Sequence, residues 1–158
     1  MSDIIEIGLI LLDSTSLELT GKRSLLVRPT RSQVSPFCTE LTTITPDMVE
    51  AAMSLQQACD VLAKEYKRKK RLWASYGDYD RTMMMKSCEA LNVTYPFGQG
   101  HLNVKTLAAI LLGRKSESGL GALMSSLGMR FEGTQHRGHD DAENIGRVLK
   151  YLIEKTRQ

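Results

Sequence analysis

The chain has 158 residues, 42% of them hydrophobic and 25% charged, with a formal net charge of +3. That is the size and balance of one globular domain with a buried core, and no apolar run approaches the ~20 residues that span a bilayer. A membrane-spanning protein is excluded, while the mild positive charge suits a nucleic-acid partner without requiring one.

Met1-Ser2-Asp3 runs into apolar residues with no basic region, so no secretory signal is predicted. Residues 4–12, IIEIGLILL, are too apolar for a solvated edge and predict a buried strand. A turn over 13–16 leads to a second strand over 24–28, ended by Pro29, and the two form a hairpin. Residues 30–49 have few periodic apolar positions and predict loop with short helical pieces. Ser54 and Gln57 fit a capping box, opening a helix that buries Ala58, Val61, Leu62 and Tyr66 and ends in the basic run 67–71. That run reads first as a solvated helix end and second as a phosphate contact. A strand over 72–76 and a turn over 77–80 precede a helix over 81–91, whose Met83, Met84 and Met85 read as core filling. A short apolar segment over 102–104 precedes helices over 106–112 and 119–127, the second closed by Gly128. The last helix, over 140–155, turns Ile145, Val148, Leu149 and Leu152 inward. A hairpin followed by alternating strands and helices predicts an α/β domain with helices packed on a mixed sheet. Cys38, Cys59 and Cys88 form no CxxC pair, which argues against zinc or disulfides and for reduced thiols in the cytoplasm.

The densest polar cluster is His136-Arg137-Gly138-His139-Asp140-Asp141, opening the last helix. A histidine five residues ahead of an aspartate suits metal-dependent phosphodiester chemistry, one group moving a proton while the other holds a cation. Asp80 sits where a strand gives way to a helix, the end of an α/β sheet at which ligand sites gather. Asp141 lies in a first helical turn, where the helix dipole favours its charge. If the two elements pack together, both carboxylates face one cleft, and hard oxygen ligands select Mg²⁺ or Mn²⁺ over zinc. The plainer alternatives are that Asp80 and Asp141 only cap their helices and that His136 is a surface loop residue. His139-Asp140 also matches the adjacent pair of an HD phosphohydrolase, with His101 as the earlier histidine. No aspartate follows Asp141 to complete that site.

These residues resemble the DEDDh family of 3′-to-5′ exonucleases, which share an RNase H-like fold, and within it the Eri-type and KapD-like branch. His136-Arg137-Gly138, Asp140-Asp141-Ala142 and Asn144-Ile145 look like its third motif, and Gly77-Asp78-Tyr79-Asp80 like its second. Phe37-Cys38-x-Glu40-Leu41-Thr42-Thr43-Ile44 is similar to its Leu-Thr-Gly-Ile segment, with Thr43 in the glycine's place. Glu6-Ile7-Gly8 and Phe131-Glu132-Gly133 also stand where that branch carries similar residues. The resemblance covers essentially the whole chain. It implies an RNase H-like mixed sheet flanked by helices and a two-metal phosphodiesterase acting on single-stranded 3′ ends, RNA rather than DNA. Asp80 and Asp141 would ligate Mg²⁺ or Mn²⁺, two ions in the intact family site, roughly 3.5–4 Å apart. His136 would be the general base on the attacking water, and Leu41, Thr42 and Ile44 would line the 3′-end pocket.

The family's first strand carries Asp-x-Glu, whose carboxylates share a face because residues two apart in a strand do. No such strand precedes residue 4 here, and Asp3 and Glu6, three apart, cannot substitute. That strand is central in the family's sheet, so two strands are expected to keep unpaired edges. Residues 1–158 are therefore read as an exonuclease domain lacking its first strand. Three accounts stay open: a piece of a longer protein (the preferred one), a homodimer exchanging a strand, or a non-catalytic nucleic-acid-binding or regulatory module.

Overall fold

The computed structural model describes residues 2–66 and 70–158. Strands β1 (Glu6–Leu12) and β2 (Leu19–Leu26) pair antiparallel as the expected hairpin. β2 begins at Leu19 rather than residue 24, because the connection is tight. The Asp13 carboxylate accepts the Thr15 and Ser16 amides, and Asp13 N–H reaches Glu18 O at 3.0 Å, so the ladder starts at once. The register slips between Leu9 and Leu11, opposite Gly21 at φ +67°, a backbone state that glycine adopts without steric cost. The slip lets Lys22 and Leu19, of opposite parity, both meet the last helix.

Three helices follow: α1 (Pro36–Thr42), α2 (Pro46–Glu50) and α3 (Leu55–Glu65). The predicted capping box is formed, Ser54 Oγ accepting from Gln57 N while Gln57 Oε1 accepts from Ser54 N at 2.8 Å. Residues 67–69 of the basic run fall outside the described residues, and so does the phosphate contact expected of 67–71. Then come β3 (Trp73–Ser75), α4 (Tyr79–Ala90), β4 (His101–Asn103), α5 (Val104–Leu111), α6 (Leu120–Ser126) and α7 (Gly138–Thr156). None of these helices is long and apolar enough to cross a membrane.

The strands form two separate pairs among the described residues, β1–β2 antiparallel and β3–β4 parallel. Each of β1 and β3 has one hydrogen-bonded neighbour, which agrees with the unpaired edges expected. β1 is accordingly half-buried along its whole length rather than buried. Its odd residues Ile7 and Leu9 pack on the cluster of Leu25, Val27, Ala58, Leu62, Met84 and Cys88. Its even residues meet α7: a Cβ on Gly8 would overlap the Gly138 carbonyl, and one on Gly146 would lie 3.3 Å from Ile10. A second cluster, built on Val104, Ala108, Leu123, Met124, Val148 and Leu152, fastens α5 and α6 to α7. Of the three methionines only Met84 is buried in the core, whereas Met85 is 49% exposed. Successive positions on a helix cannot all face one core.

Gly8→Ala should lower unfolding stability by about 3 kcal/mol or prevent folding, since backbone and not a flexible side chain stands in the way. Gly121→Ala, with open space around it inside α6, should raise stability by about 0.5–1 kcal/mol. Urea unfolding of the two variants compares them directly, and equal effects would refute the close β1–α7 approach.

Candidate active site

The start of α7 is held by one carboxylate from β1. Glu6, its side chain 5% exposed, accepts from Gly138 N at 2.7 Å, Ser24 Oγ at 2.6 Å and Arg137 Nη2 at 3.2 Å. His139 Nδ1 lies 3.0 Å from the same carboxylate. These bonds outweigh the cost of burial and hold Glu6 below the usual carboxylate range. Asp3, by contrast, lies ahead of β1 and is spent on the backbone N–H groups of Thr30, Arg31 and Ser32. The two acids do not act as a pair, as their spacing predicts. Arg137 also reaches Thr43 Oγ1 at 3.3 Å, tying the end of α1 to the start of α7. Thr43 itself is left-handed at φ 64°, the conformation that favours the glycine it replaces.

The adjacent aspartates have different partners. Asp140 binds Lys22 Nζ at 2.6 Å and the Thr134 amide at 2.9 Å, and its carboxyl is held low. Asp141 accepts the His136 amide at 3.2 Å, but burial pushes its carboxyl up. The charges of Asp80 and Glu6 push the same way, while nearby His136 opposes them. Asp141 thus stands within reach of the charge of Asp80. Asp80 is solvent-accessible at the rim, yet enough protein surrounds its carboxyl for desolvation to raise it too. His136 is exposed beside this pair, with its backbone left-handed at φ 66°. A non-glycine residue held there costs on the order of 1 kcal/mol and is typical of functional sites.

The Asp80 turn is set from β3 and β4. Ser75 Oγ bonds Gly77 O at 2.8 Å and His101 Nε2 at 2.7 Å, while Asn103 Oδ1 accepts Gly77 N at 3.1 Å. α4 starts at Tyr79, so Asp80 already lies in its first turn. His101 is committed to Ser75 and packed on Trp73, not on His139-Asp140, which removes the HD-type arrangement. Asn144, fully buried, clamps the Glu132 backbone and the Asp140 carbonyl to α7.

The residues expected at a 3′-end pocket divide. Leu41 is exposed, the Thr42 hydroxyl is spent on Cys38 O at 2.7 Å, and Ile44 is 1% exposed and belongs to the core. Only Leu41 presents its side chain freely. Two exposed rings were not among the predicted pocket residues: Phe37 on α1 and Tyr79 beside Asp80, both 71% exposed. Large exposed aromatics in the quoted motifs are the signal that would have found them.

Two oxygen donors with raised pKa values suit a hard cation, since Mg²⁺ commonly takes one or two carboxylates and completes its shell with water and phosphate. Among the described residues no group of three or more His, Cys, Asp or Glu stands together to hold an ion.

The scaffold sets Asp80 in the first turn of α4 and Asp141, beside His136, in the first turn of α7. The family model described as Exonuclease, of the RNase T type, matches residues 2–149. The chain belongs to this exonuclease family. Rat 3′-5′ exoribonuclease 1 is 31% identical over 98% of this chain and 48% of its own length. Human ERI1 exoribonuclease 3 is 29% identical over 95% of this chain and 48% of its own. The chain spans about half the length of the curated relatives it matches. Among solved structures, the nuclease domain of 3′hExo, a DEDDh family member bound to rAMP, superposes with a TM-score of 0.89. It is 27% identical over 97% of this chain and 82% of that one. A 3′-exonuclease structure concerned with 3′-end recognition of histone mRNA stem-loop also has a TM-score of 0.89, at 26% identity over 97% and 72% of the two chains.

A carboxyl with a raised pKa binds its proton more tightly in the folded than in the unfolded chain, so stability falls as pH rises through that interval. Asp80→Asn should therefore raise the melting temperature at neutral pH, with the gain gone near pH ~3. Glu6 has the opposite sign: its contribution is present above the unfolded carboxylate pKa and lost as pH falls through the lowered folded one. Glu6→Ala should cost about 3 kcal/mol at neutral pH, because it strands buried donors and Arg137. Melting curves at both pH values decide it, and an Asp80→Asn protein less stable at neutral pH would contradict the crowding of that carboxyl.

Proposed function

We propose that this chain is the nuclease core of a 3′-to-5′ exonuclease that removes nucleotides from single-stranded RNA 3′ ends. The observation that carries this is Asp141, its carboxyl raised within the fields of Asp80 and Glu6 and His136 standing beside it. Relatives described as exoribonucleases, and one bound to rAMP, favour RNA over DNA. Asp80 and Asp141 would hold Mg²⁺ or Mn²⁺, which when bound neutralises their charge and polarises the scissile phosphate. The His136 imidazole takes the proton of the attacking water, a role suited to a side chain whose ordinary pKa of about 6.5 lies near working pH. Phe37, Leu41 and Tyr79 offer apolar faces on which the terminal base stacks. Thr42 and Ile44 shape that pocket through the backbone they hold.

A second reading, a binding or regulatory module without catalysis, is favoured by one observation. Glu6 is spent on α7 and leaves Asp80 and Asp141 as the paired acids of the cleft. In the catalytic reading the remaining carboxylates come from a further segment or from a second copy of the chain.

With Mn²⁺, this chain should shorten a 5′-labelled single-stranded RNA stepwise, and His136→Ala should slow it at least ~100-fold without unfolding the protein. Binding without shortening would favour the module, and a variant as fast as wild type would remove His136 from the chemistry. Asp141→Asn should weaken Mn²⁺ binding in calorimetry. Unchanged affinity would count against Asp141 as a ligand.

A further inference from the structure

Between α4 and the loop before β4 runs a groove of about 470 Å³, lined by Arg81, Met85, Tyr95, Phe97, Gly98 and Gln99. One wall is built of rings already locked together. Phe97 stacks on Trp73 with centroids 4.3 Å apart and planes 14° from parallel, and Tyr95 meets Phe97 edge-on at 5.7 Å. Trp73 in turn packs on His101 at 4.3 Å. The opposite side is α4, where Arg81 and Met85 lie one turn apart on the same face. Arg81 brings a permanent positive charge, and exposed Gln99 brings an amide that can both donate and accept.

The groove adjoins the carboxylate cleft. Arg81 directly follows Asp80, and His101, behind the ring wall, feels the charges of Arg81, Asp78 and Asp80 together. A flat apolar wall, a polar amide and one cation suit a nucleobase with its phosphate. Arg81 is held by the Tyr95 hydroxyl, so its charge stands at the ring wall, where an all-apolar ligand would desolvate it and a simple anion would leave the rings without use.

We propose that this groove is a second nucleotide subsite, seating the base of an internal nucleotide of a single strand whose 3′ end lies in the Asp80–Asp141 cleft. It rests on the function proposed above and adds where the strand runs. Stacking accepts any base, so the subsite reads the presence of a strand and not its sequence. Met85, exposed where core was expected, forms the apolar floor opposite the rings.

Trp73 is the single tryptophan and stacks on groove-lining Phe97, so its fluorescence reports occupancy. The chain is titrated in EDTA, which prevents cleavage, with adenosine 5′-monophosphate and with a tetra-adenylate. The tetranucleotide should bind about tenfold tighter, the gain expected of one stacked base. Met85→Glu should abolish that advantage and Met85→Lys preserve or increase it, both leaving mononucleotide affinity unchanged. Equal affinity of the two probes in the wild type would overturn the subsite, and so would loss of the advantage in both Met85 variants. Displacement of the tetranucleotide by a short oligoglutamate at equal concentration would also overturn it, pointing to an acidic peptide instead. A Met85-dependent tetranucleotide complex without mononucleotide binding would keep the groove and refute the 3′-end pocket. Failure to bind either probe would refute both.

Discussion

Everything in the candidate site depends on the carboxylate of Glu6. A helix leaves its first amides without partners, and its positive end attracts negative charge. At α7 the Gly138 amide is met by a side chain from β1, 132 residues earlier, whose carboxylate also binds Arg137 and His139. The same arginine reaches Thr43, so α1, β1 and α7 converge on one buried charge. An isolated carboxylate taken from water costs several kcal/mol, and only its full set of donors makes this one favourable. With that anchor in place, the positions of His136 and Asp141 follow from the first turn of the helix. The close contact of Gly8 with Gly138 is the steric side of the same arrangement, because any Cβ there would force α7 away from Glu6.

Four acids near this point have different surroundings. Glu6 and Asp140 are given donors and held low, whereas Asp80 and Asp141 are crowded by protein and pushed up. Carboxylates whose environments drive their pKa values apart divide into roles. The satisfied acids hold the backbone. Asp80 and Asp141, crowded by protein, cost stability instead.

The sequence already carried the local rules. The Ser54 capping box, the hairpin, the apolar face of α7 and the motif around His136 all act within a few residues, where spacing translates directly into geometry. Asp80 and Asp141 stand out the same way, each in the first turn of its helix. What stayed hidden depended on distant contacts. The strand expected over 24–28 omits residues 19–23, yet the slip they create carries Lys22 to Asp140. The resemblance of residues 37–44 to a pocket segment put Ile44 at a pocket, but its own side chain fills the core. Glu6 stood out only within a segment similar to that branch's, and its use stayed hidden because its donors other than Ser24 lie at the other end of the chain.

Among the described residues no ladder joins the two strand pairs, so the sheet does not link Glu6 to Asp80. β1–β2 places Glu6 and Lys22, and β3–β4 places Asp80 through Ser75, Asn103 and His101. α7 is the element that meets both halves. It lies on the hairpin at Gly8, Ile10 and Leu19, and it shares the Val104, Ala108 and Leu123 core with α5 and α6. Asp141 rides on that helix, so its distance from Asp80 is set by side-chain packing and by the Glu6 anchor, without the hydrogen bonds that would make a continuous sheet rigid. A cation bound by both aspartates would therefore link the two halves of the domain, and binding would be coupled to their relative placement.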